Sequence, residues 1–153
     1  MSRPVSKPHL SAADILPEIT PALAKSRVLV VEDHPQNREL IVRLLQFAGI
    51  TADSAPDGEK ALEKFQASRF DLVLMDIQLP VMDGCEATQK IRAWESGQGT
   101  PLVPIVAISA NSREVDRRRA LSAGCTMFIS KPISPRGLLS RLGKLMQEFE
   151  QSA

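Results

Sequence analysis

From residue 28 onward, short apolar runs alternate with longer amphipathic stretches. The apolar runs cover four or five residues each and are separated by polar turns, while the longer stretches place apolar residues at helical spacings. Alternation of this kind predicts a parallel β-sheet covered by helices on both faces. The predicted strands span residues 28–31, 51–54, 72–75, 105–109 and 126–129. The second of them is not an apolar run but alternates, as an edge strand would.

Five helices are predicted in the amphipathic stretches. Residues suited to begin the first four are Pro35, Asp57, Asp83, and Asn111 or Ser112. We expect apolar residues of the first and fourth helices to face the sheet, among them Leu40, Leu45, Val115 and Leu121. The fifth helix has the clearest apolar stripe, formed by Leu138, Leu142, Leu145 and Phe149.

The start of the chain is rich in proline. Within the first 26 residues no strand-like run occurs, and the prolines are Pro4, Pro8, Pro17 and Pro21. We therefore interpret residues 1–26 as a linker or arm that is largely flexible. Residues 27–148 form the predicted folded domain, and residues 149–153 a short C-terminal tail.

The composition is that of a globular domain without a strong charge bias. Hydrophobic residues make up 43% of the 153 residues, charged residues 24%, and the formal net charge is +1. We therefore expect no direct nucleic-acid binding. The absence of a membrane-length apolar run and of a signal-peptide pattern predicts a cytoplasmic segment without membrane contact. Cys85 and Cys125 lie in different predicted elements and are expected to be reduced.

Charged residues follow three of the predicted strands. Glu32 and Asp33 come after the first strand, Asp76 after the third, and Lys131 after the fifth. Because the carboxyl ends of parallel strands open at the same edge of a sheet, these side chains are expected to converge in one pocket. Crowded carboxylates favour a bound cation, and an all-oxygen set suits Mg²⁺. The pattern indicates a phosphoryl-transfer site.

Other polar residues have simpler interpretations when each is taken alone. Ser109 closes the fourth strand and would border the same pocket, but a lone serine does not indicate chemistry. His34 follows the acidic pair, yet Mg²⁺ prefers oxygen ligands and one histidine makes no transition-metal site. We interpret His34 as a solvated loop residue. His9 lies in the arm and is not expected to carry a phosphoryl group.

Five short motifs occur in the order of a known family. They are Val30-Val31-Glu32-Asp33, Leu74-Met75-Asp76, Pro80-Val81-Met82-Asp83-Gly84, Ala107-Ile108-Ser109-Ala110 and Ile129-Ser130-Lys131-Pro132. Across residues 27–148 the chain resembles a response-regulator receiver domain, the CheY-like phosphoacceptor module of two-component signalling, and most of all the receivers of hybrid sensor histidine kinases. The resemblance implies an α/β fold of the flavodoxin-like, doubly wound kind, with a five-stranded parallel sheet of order 2-1-3-4-5 and five helices.

The resemblance also implies a role for each charged residue of the pocket. Asp76 would be the phosphoacceptor, and Lys131 would neutralise a phosphoryl oxygen. Mg²⁺, or Mn²⁺ as a substitute, would be held by Asp33, Asp76 and the backbone carbonyl of Gln78, with Glu32 assisting through water. Such a domain promotes its own phosphorylation and dephosphorylation without being a conventional enzyme.

Two further residues are implied to form a conformational switch. Ser109 would donate a hydrogen bond to the phosphorylated form, and Phe128 would rotate into the space behind it. Members of the family often have Thr and Tyr at these positions. The face made by the fourth predicted helix, the fifth strand and the fifth helix would then carry the readout, and it is also a candidate face for a homodimer.

The implied partner is a histidine kinase or a histidine phosphotransfer domain. We favour a hybrid sensor histidine kinase as the parent protein, which would tether the domain to a membrane-bound sensor. A stand-alone single-domain regulator and a pseudo-receiver that does not accept phosphate are alternatives. A phosphoaspartate hydrolase is a weaker one, because Gln78 replaces the second Asp of its DxD motif.

Overall fold

The computed structural model describes residues 19–152, which form five strands and six helices. In chain order these are α1 (Pro21–Ala24), β1 (Arg27–Val31), α2 (Pro35–Phe47), β2 (Thr51–Ala55), α3 (Gly58–Ala67), β3 (Leu72–Asp76), α4 (Gly84–Gln98), β4 (Ile105–Ser109), α5 (Glu114–Ala123), β5 (Met127–Ser130) and α6 (Pro135–Ser152). Helices α2 to α6 are the five helices predicted from the sequence, and α1 is an additional one.

All five strands are parallel and lie in the order β2-β1-β3-β4-β5. This order confirms the predicted doubly wound sheet. The three central strands are buried almost throughout, as their unbroken apolar sequences require. In the register of β1 and β3, Val31 lies opposite Met75, so the residues that follow both strands emerge side by side at one edge.

Alternate residues of the central strands pack on the two faces of the sheet. Val30 and Leu74 belong to a core shared with α2 and α6, whereas Leu29 and Val73 face α3, α4 and α5. Two layers of helices thus bury both faces and hold the strand ends in fixed positions.

Most helix starts are as predicted, and α5 is the exception. The carboxylates of Asp57 and Asp83 accept hydrogen bonds from the third backbone N–H of α3 and α4, at 2.8 and 2.9 Å. Helix α5 instead begins after Arg113, whose side chain makes no capping hydrogen bond. Its buried residues are alanines, among them Ala120, which the helical spacing also places inward. Val115 is 61% exposed and Leu121 is 40% exposed, so the predicted inward positions of these two residues were wrong.

Helix α6 is amphipathic and is the longest helix described. Leu138, Leu142 and Leu145 of its predicted stripe are buried, whereas Arg141 and Lys144 are exposed. The helix continues to Ser152, beyond the boundary at residue 148 that the sequence indicated. Between residues 19 and 152, no helix combines the length and the hydropathy needed to cross a bilayer.

Part of the predicted arm is folded onto α6. Leu23 of α1 is fully buried, the Thr20 hydroxyl donates to the carbonyl of Gly143 at 3.1 Å, and Lys25 pairs with Glu150 at 2.8 Å. Residues 20–25 are therefore packed against the domain. Residues 1–18 of the predicted arm, which include His9, and Ala153 lie outside the described residues.

Candidate functional site

Three carboxylates meet where β1 and β3 end. Asp76 is the last residue of β3, and Glu32 and Asp33 directly follow β1. A carboxylate oxygen from each of the three can be chosen so that all lie within 4.8 Å of one another. Glu32 and Asp76 are buried, at 3% and 5% exposure, while Asp33 is exposed. The predicted convergence is therefore present, with one side of the cluster open to solvent.

Lys131 brings a positive charge to the buried side of this cluster. Its Nζ atom lies 3.4 Å from Glu32 Oε2 and 3.5 Å from Asp76 Oδ2. Both distances exceed the roughly 2.8 Å of a strong ionic hydrogen bond. The backbone N–H of Lys131 donates to Ser109 O at 2.7 Å, and its peptide bond to Pro132 is cis. The lysine offsets the carboxylate charge without locking onto either partner.

The surroundings of Asp76 disfavour its charged form. Burial is the main cause and the neighbouring Glu32 the next, and together they raise the pKa of Asp76 to about 6. The Gln78 backbone N–H donates to Asp76 Oδ1 at 2.9 Å and, with Lys131, opposes this rise. A cation in the cluster would favour the carboxylate form, which is the form that can act as a nucleophile.

The loop after Asp76 folds back tightly onto the strand end. The Gly84 N–H donates to Ile77 O at 3.1 Å, and a Cβ atom on Gly84 would collide with the backbone of Asp76 and Ile77. Glycine is therefore required for this approach. Gln78 lies exposed at the start of the loop, beside the acidic cluster. Gly84 was part of a sequence motif but had been given no role.

Ser109 and Phe128 lie on the two strands beyond β3. Ser109 is the last residue of β4, is 1% exposed, and its Oγ accepts from the Asn111 N–H at 3.1 Å. Phe128 is half-buried on β5, two positions before Ser130, which pairs with Ser109. The two candidate switch residues thus lie close to the same edge of the sheet as Asp76.

Two residues of α2 contact the acidic loop and were not foreseen. Arg38 Nη1 donates to Glu32 O at 3.0 Å and to Asp33 O at 3.4 Å. Asn37 Nδ2 donates to Glu32 Oε1 at 3.4 Å. His34 is exposed and makes no capping hydrogen bond to the helix. A basic residue near the start of a helix, just after an acidic pair, is the sequence signal for Arg38.

The donor set of the cluster is consistent with a hard divalent cation. The available ligands are carboxylate oxygens and loop carbonyls, and no cysteine or histidine belongs to the cluster. Within residues 19–152 this is the one cluster of acidic, cysteine or histidine side chains with metal-binding geometry. Mg²⁺, which is usually held by one or two carboxylates and several waters, suits a site that is open on one side.

Comparison with curated proteins finds relatives that are much longer than this chain. The sensor histidine kinase GacS of Pseudomonas protegens is 44% identical over 123 residues. The match covers 80% of this chain but 13% of the relative. This chain thus corresponds to a small part of such a protein.

Solved receiver domains have the same fold. The receiver domain of the sensor histidine kinase PA1611 from Pseudomonas aeruginosa, solved with magnesium in its active-site cleft, is 35% identical, with a TM-score of 0.68. The match covers 81% of this chain and 96% of that one. The receiver domain of Saccharomyces cerevisiae Ssk1, solved with the histidine phosphotransfer protein Ypd1, is 33% identical, with a TM-score of 0.71 and 81% and 88% coverage.

A family model decides the classification. The response regulator receiver domain model matches residues 28–143, which include the whole sheet from Val28 and the acidic cluster with Lys131. The order of the strands and the match over most of the chain agree. This chain belongs to the response regulator receiver domain family of two-component phosphorelay proteins.

Proposed function

We propose that Asp76 accepts a phosphoryl group from a phosphohistidine and that the domain passes this signal on by a change of conformation. The observation that carries the proposal is the position of Asp76 between two acidic neighbours and Lys131 at the open end of the sheet. An aspartate of structural importance alone would be paired more closely. This one is buried, poorly neutralised and open to a ligand on one side.

The transfer forms one bond and breaks one. A carboxylate oxygen of Asp76 attacks phosphorus, the P–N bond to the donor imidazole breaks, and the imidazole leaves with the electron pair and is protonated. Repulsion between the carboxylate and the phosphoryl oxygens opposes this attack. Lys131, whose Nζ is 3.5 Å from Asp76, is placed to neutralise one of those oxygens.

The acidic cluster is the proposed magnesium site. Asp33, Asp76 and the backbone carbonyl of Gln78 would hold the ion directly, and Glu32 through a water molecule. Mn²⁺, which also accepts an oxygen-rich octahedral site, would substitute. The ion would supply positive charge at the transferring phosphoryl group. The buried position of Glu32, with Lys131 at 3.4 Å, fits a supporting role better than that of an exposed ligand.

Ser109 and Phe128 form the proposed switch. The Ser109 hydroxyl would donate to a phosphoryl oxygen on Asp76, which requires β4 and the loop after it to move inward. Phe128 would then turn into the space that this movement opens. Because the new contacts exist only in the inward state, phosphorylation shifts the population toward it.

The proposed readout surface is the face formed by α5, β5 and α6. A groove of about 490 Å³ on this face is lined by residues that include Arg117, Phe128 and Arg141. Since Phe128 belongs both to the groove and to the proposed switch, its rotation would change the shape of the groove. The same face is proposed to form a homodimer, which sedimentation of the phosphorylated and unphosphorylated chain would test.

The proposed phosphodonor is a histidine kinase or a histidine phosphotransfer domain. Support comes from the likeness to the receiver part of GacS and from the Ssk1 receiver solved with Ypd1. We propose a cytoplasmic domain of a hybrid sensor histidine kinase as the source of this chain. A stand-alone regulator and a pseudo-receiver are the alternative outcomes of the tests.

Intact-mass spectrometry tests the central proposal. The full chain is incubated with a small phosphodonor such as acetyl phosphate, with and without Mg²⁺, beside Asp76→Asn and a matched control, Asp116→Asn. Asp116 lies on α5, pairs with Arg113 and does not belong to the acidic cluster. One phosphoryl adduct is expected in the wild type and in Asp116→Asn, only with Mg²⁺, and none in Asp76→Asn.

Two other outcomes have clear meanings. An adduct that persists in Asp76→Asn would place the phosphoryl group elsewhere and reject the proposed acceptor. A folded wild type that binds Mg²⁺ but gains no adduct, even from a phosphorylated histidine phosphotransfer protein, would make the domain a pseudo-receiver.

A further inference from the structure

Arg38 connects the first turn of α2 to the backbone of the acidic loop. One nitrogen of its guanidinium, Nη1, donates to the carbonyl of Glu32 at 3.0 Å and to that of Asp33 at 3.4 Å. These two carbonyls belong to consecutive peptide groups. Their orientation fixes the backbone from which the Glu32 and Asp33 side chains extend toward Asp76.

The position of Arg38 on the helix is unfavourable unless this contact compensates. The N-terminal end of a helix carries partial positive charge, so a cation there is usually destabilising. In α2 no acidic residue of the first turn offsets that charge, and no side chain caps the helix. The two loop carbonyls accept hydrogen bonds from the guanidinium and so compensate for its unfavourable position.

Asn37 supports the same loop from the neighbouring position. Its Nδ2 lies 3.4 Å from Glu32 Oε1, so one residue contacts the carboxylate of Glu32 and the next contacts its carbonyl. Asp33 is exposed, and apart from Arg38 no hydrogen-bond partner of Asp33 is seen within the described residues. Without Arg38, the backbone at Asp33 would lose the contact that holds it to α2.

We propose that Arg38 is a positioning residue for the metal-binding loop. It sets the direction of the Asp33 carboxylate through the two loop carbonyls and does not itself contact the ion. This inference rests on the magnesium site proposed above. Loss of a residue that orients a metal ligand typically weakens metal affinity 10- to 100-fold.

A purely electrostatic role for Arg38 predicts the opposite result. A guanidinium beside the acidic cluster repels a divalent cation, so removing its charge would strengthen metal binding. The sign of the change in Mg²⁺ affinity therefore separates positioning from charge repulsion.

The experiment is a calorimetric titration of the full chain with Mg²⁺, without any phosphodonor. The variants are Arg38→Ala, Arg38→Lys and a matched control, Arg43→Ala. Arg43 lies on the same helix, is exposed, and pairs with Glu39 away from the loop. The dissociation constant is expected to rise about 10-fold in Arg38→Ala and to stay within about twofold in the control. Lysine cannot reproduce the geometry of a guanidinium, so Arg38→Lys is expected to fall between wild type and Arg38→Ala or to match Arg38→Ala.

A second readout examines the loop before any metal is added. The amide nitrogens of Asp33 and His34 share peptide groups with the two carbonyls, so their NMR shifts report the hydrogen bonds directly. These shifts are expected to change in metal-free Arg38→Ala and not in Arg43→Ala. Circular dichroism establishes that each variant is folded.

Several results would overturn the inference. They are an unchanged or tighter dissociation constant in Arg38→Ala, unchanged amide shifts in that variant, or full wild-type affinity in Arg38→Lys, which would show that the geometry of the guanidinium does not position the loop. A wild type that binds no Mg²⁺ would reject the metal site itself. With it would fall both the positioning role of Arg38 and the Mg²⁺-dependent phosphoacceptor role of Asp76. A wild type that binds Mg²⁺ but is not phosphorylated would reject only the phosphoacceptor role.

Discussion

Two buried carboxylates at opposite edges of the sheet show two different uses of charge. Glu95, near the end of α4, is 1% exposed and is fully paired. It accepts from Arg92 Nη1 at 2.7 Å and from the Val103 N–H at 2.7 Å. Asp76, at the other edge, is 5% exposed, and its closest cation is 3.5 Å away. The fold therefore gives the buried carboxylate of Glu95 close hydrogen-bond partners, but it does not give Asp76 a closely paired cation.

The Arg92–Glu95 pair also closes the edge of the sheet at which it lies. Arg92 donates to the carbonyls of Val103 and Gly124 at 2.8 and 3.0 Å, which joins α4 to the loop before β4 and to the end of α5. Every buried charged atom of Arg92 and Glu95 has a hydrogen-bond partner. The acidic cluster at the other edge instead leaves negative charge for a ligand to neutralise. The first arrangement stabilises the fold, and the second is available for binding.

The largest effect is expected when the paired edge is broken. Glu95→Gln removes the charge opposite Arg92 and leaves a guanidinium that is 18% exposed without its counter-ion. Loss of one partner of a buried pair costs about 3–5 kcal/mol. Urea unfolding at pH 7.5 should show a decrease of that size in the free energy of unfolding.

The matched control for that change is Glu63→Gln on α3. Glu63 is 59% exposed and lies 3.6 Å from Lys60, so its loss is expected to cost less than about 0.5 kcal/mol. Equal losses in the two variants would show that the buried pair is no more important than a surface one, and the comparison between the two edges would fail.

At the acidic edge, removing a carboxylate charge is expected to increase the free energy of unfolding. Folding raises the pKa of Asp76 from 3.8 to about 6, so the folded state binds this proton more tightly than the unfolded state. The resulting stabilisation is complete below about pH 4 and is lost as the pH rises through 6. At pH 7.5 without Mg²⁺, Asp76→Asn should therefore be about 2–3 kcal/mol more stable than the wild type.

The pH profile makes this prediction specific. The advantage of Asp76→Asn should shrink steadily below pH 6, become small near pH 4, and disappear at still lower pH, where the wild-type carboxyl is protonated in both states. Asp116→Asn, with a more exposed aspartate, serves as the control. An advantage that is the same at pH 4 and pH 7.5 would show that side-chain packing, and not the buried charge, is responsible.

Lys131 should matter less than the Arg92–Glu95 pair because its contacts are longer. Its side chain is 29% exposed and lies 3.4 and 3.5 Å from its two partners. Lys131→Met should lower the free energy of unfolding at pH 7.5 by about 1–2 kcal/mol. In the Asp76→Asn background, where one of the two negative charges is gone, the same change should cost less.

The exposed Lys144 of α6 provides the control for Lys131. Lys144→Met should leave the free energy of unfolding almost unchanged in both backgrounds. A double-mutant cycle in which Lys131 and Asp76 do not couple would indicate that solvent already screens their interaction, and that the acidic edge is more open than the distances suggest.

Sequence patterns predicted the two edges with unequal success. The central strands are nearly continuous apolar runs, and β4 has the predicted bounds, residues 105–109. Asp76 and Lys131 directly follow such runs, so their convergence is a consequence of parallel strand order. The short-range pattern and the topology were sufficient for this part of the site.

The sequence patterns missed contacts between side chains and backbone groups, and they placed some apolar residues on the wrong side of a helix. Arg38 and Arg92 donate hydrogen bonds to backbone carbonyls, and because every residue has a carbonyl, the sequence does not show which ones they contact, even where the position of the arginine is suggestive. Leu40 is 67% exposed and Val115 is 61% exposed, because an apolar residue at the margin of a helical stripe can fall on either side of the contact. Leu23 is buried in a segment rich in proline because it packs on α6, which is distant in sequence.

The smallest expected effect is the stabilisation of the acidic edge by its ligand. An ion that binds only the folded state stabilises it by about 1.4 kcal/mol at ten times its dissociation constant. Thermal and urea unfolding with Mg²⁺ at that concentration should show this increase in the wild type. Glu95→Gln should gain the same increment from a lower starting stability, because its change lies at the other edge of the sheet. Asp76→Asn should gain much less, since it lacks one proposed ligand. If instead Mg²⁺ stabilises Asp76→Asn as much as the wild type, the ion binds elsewhere, and the unpaired charge of this edge is not what attracts it.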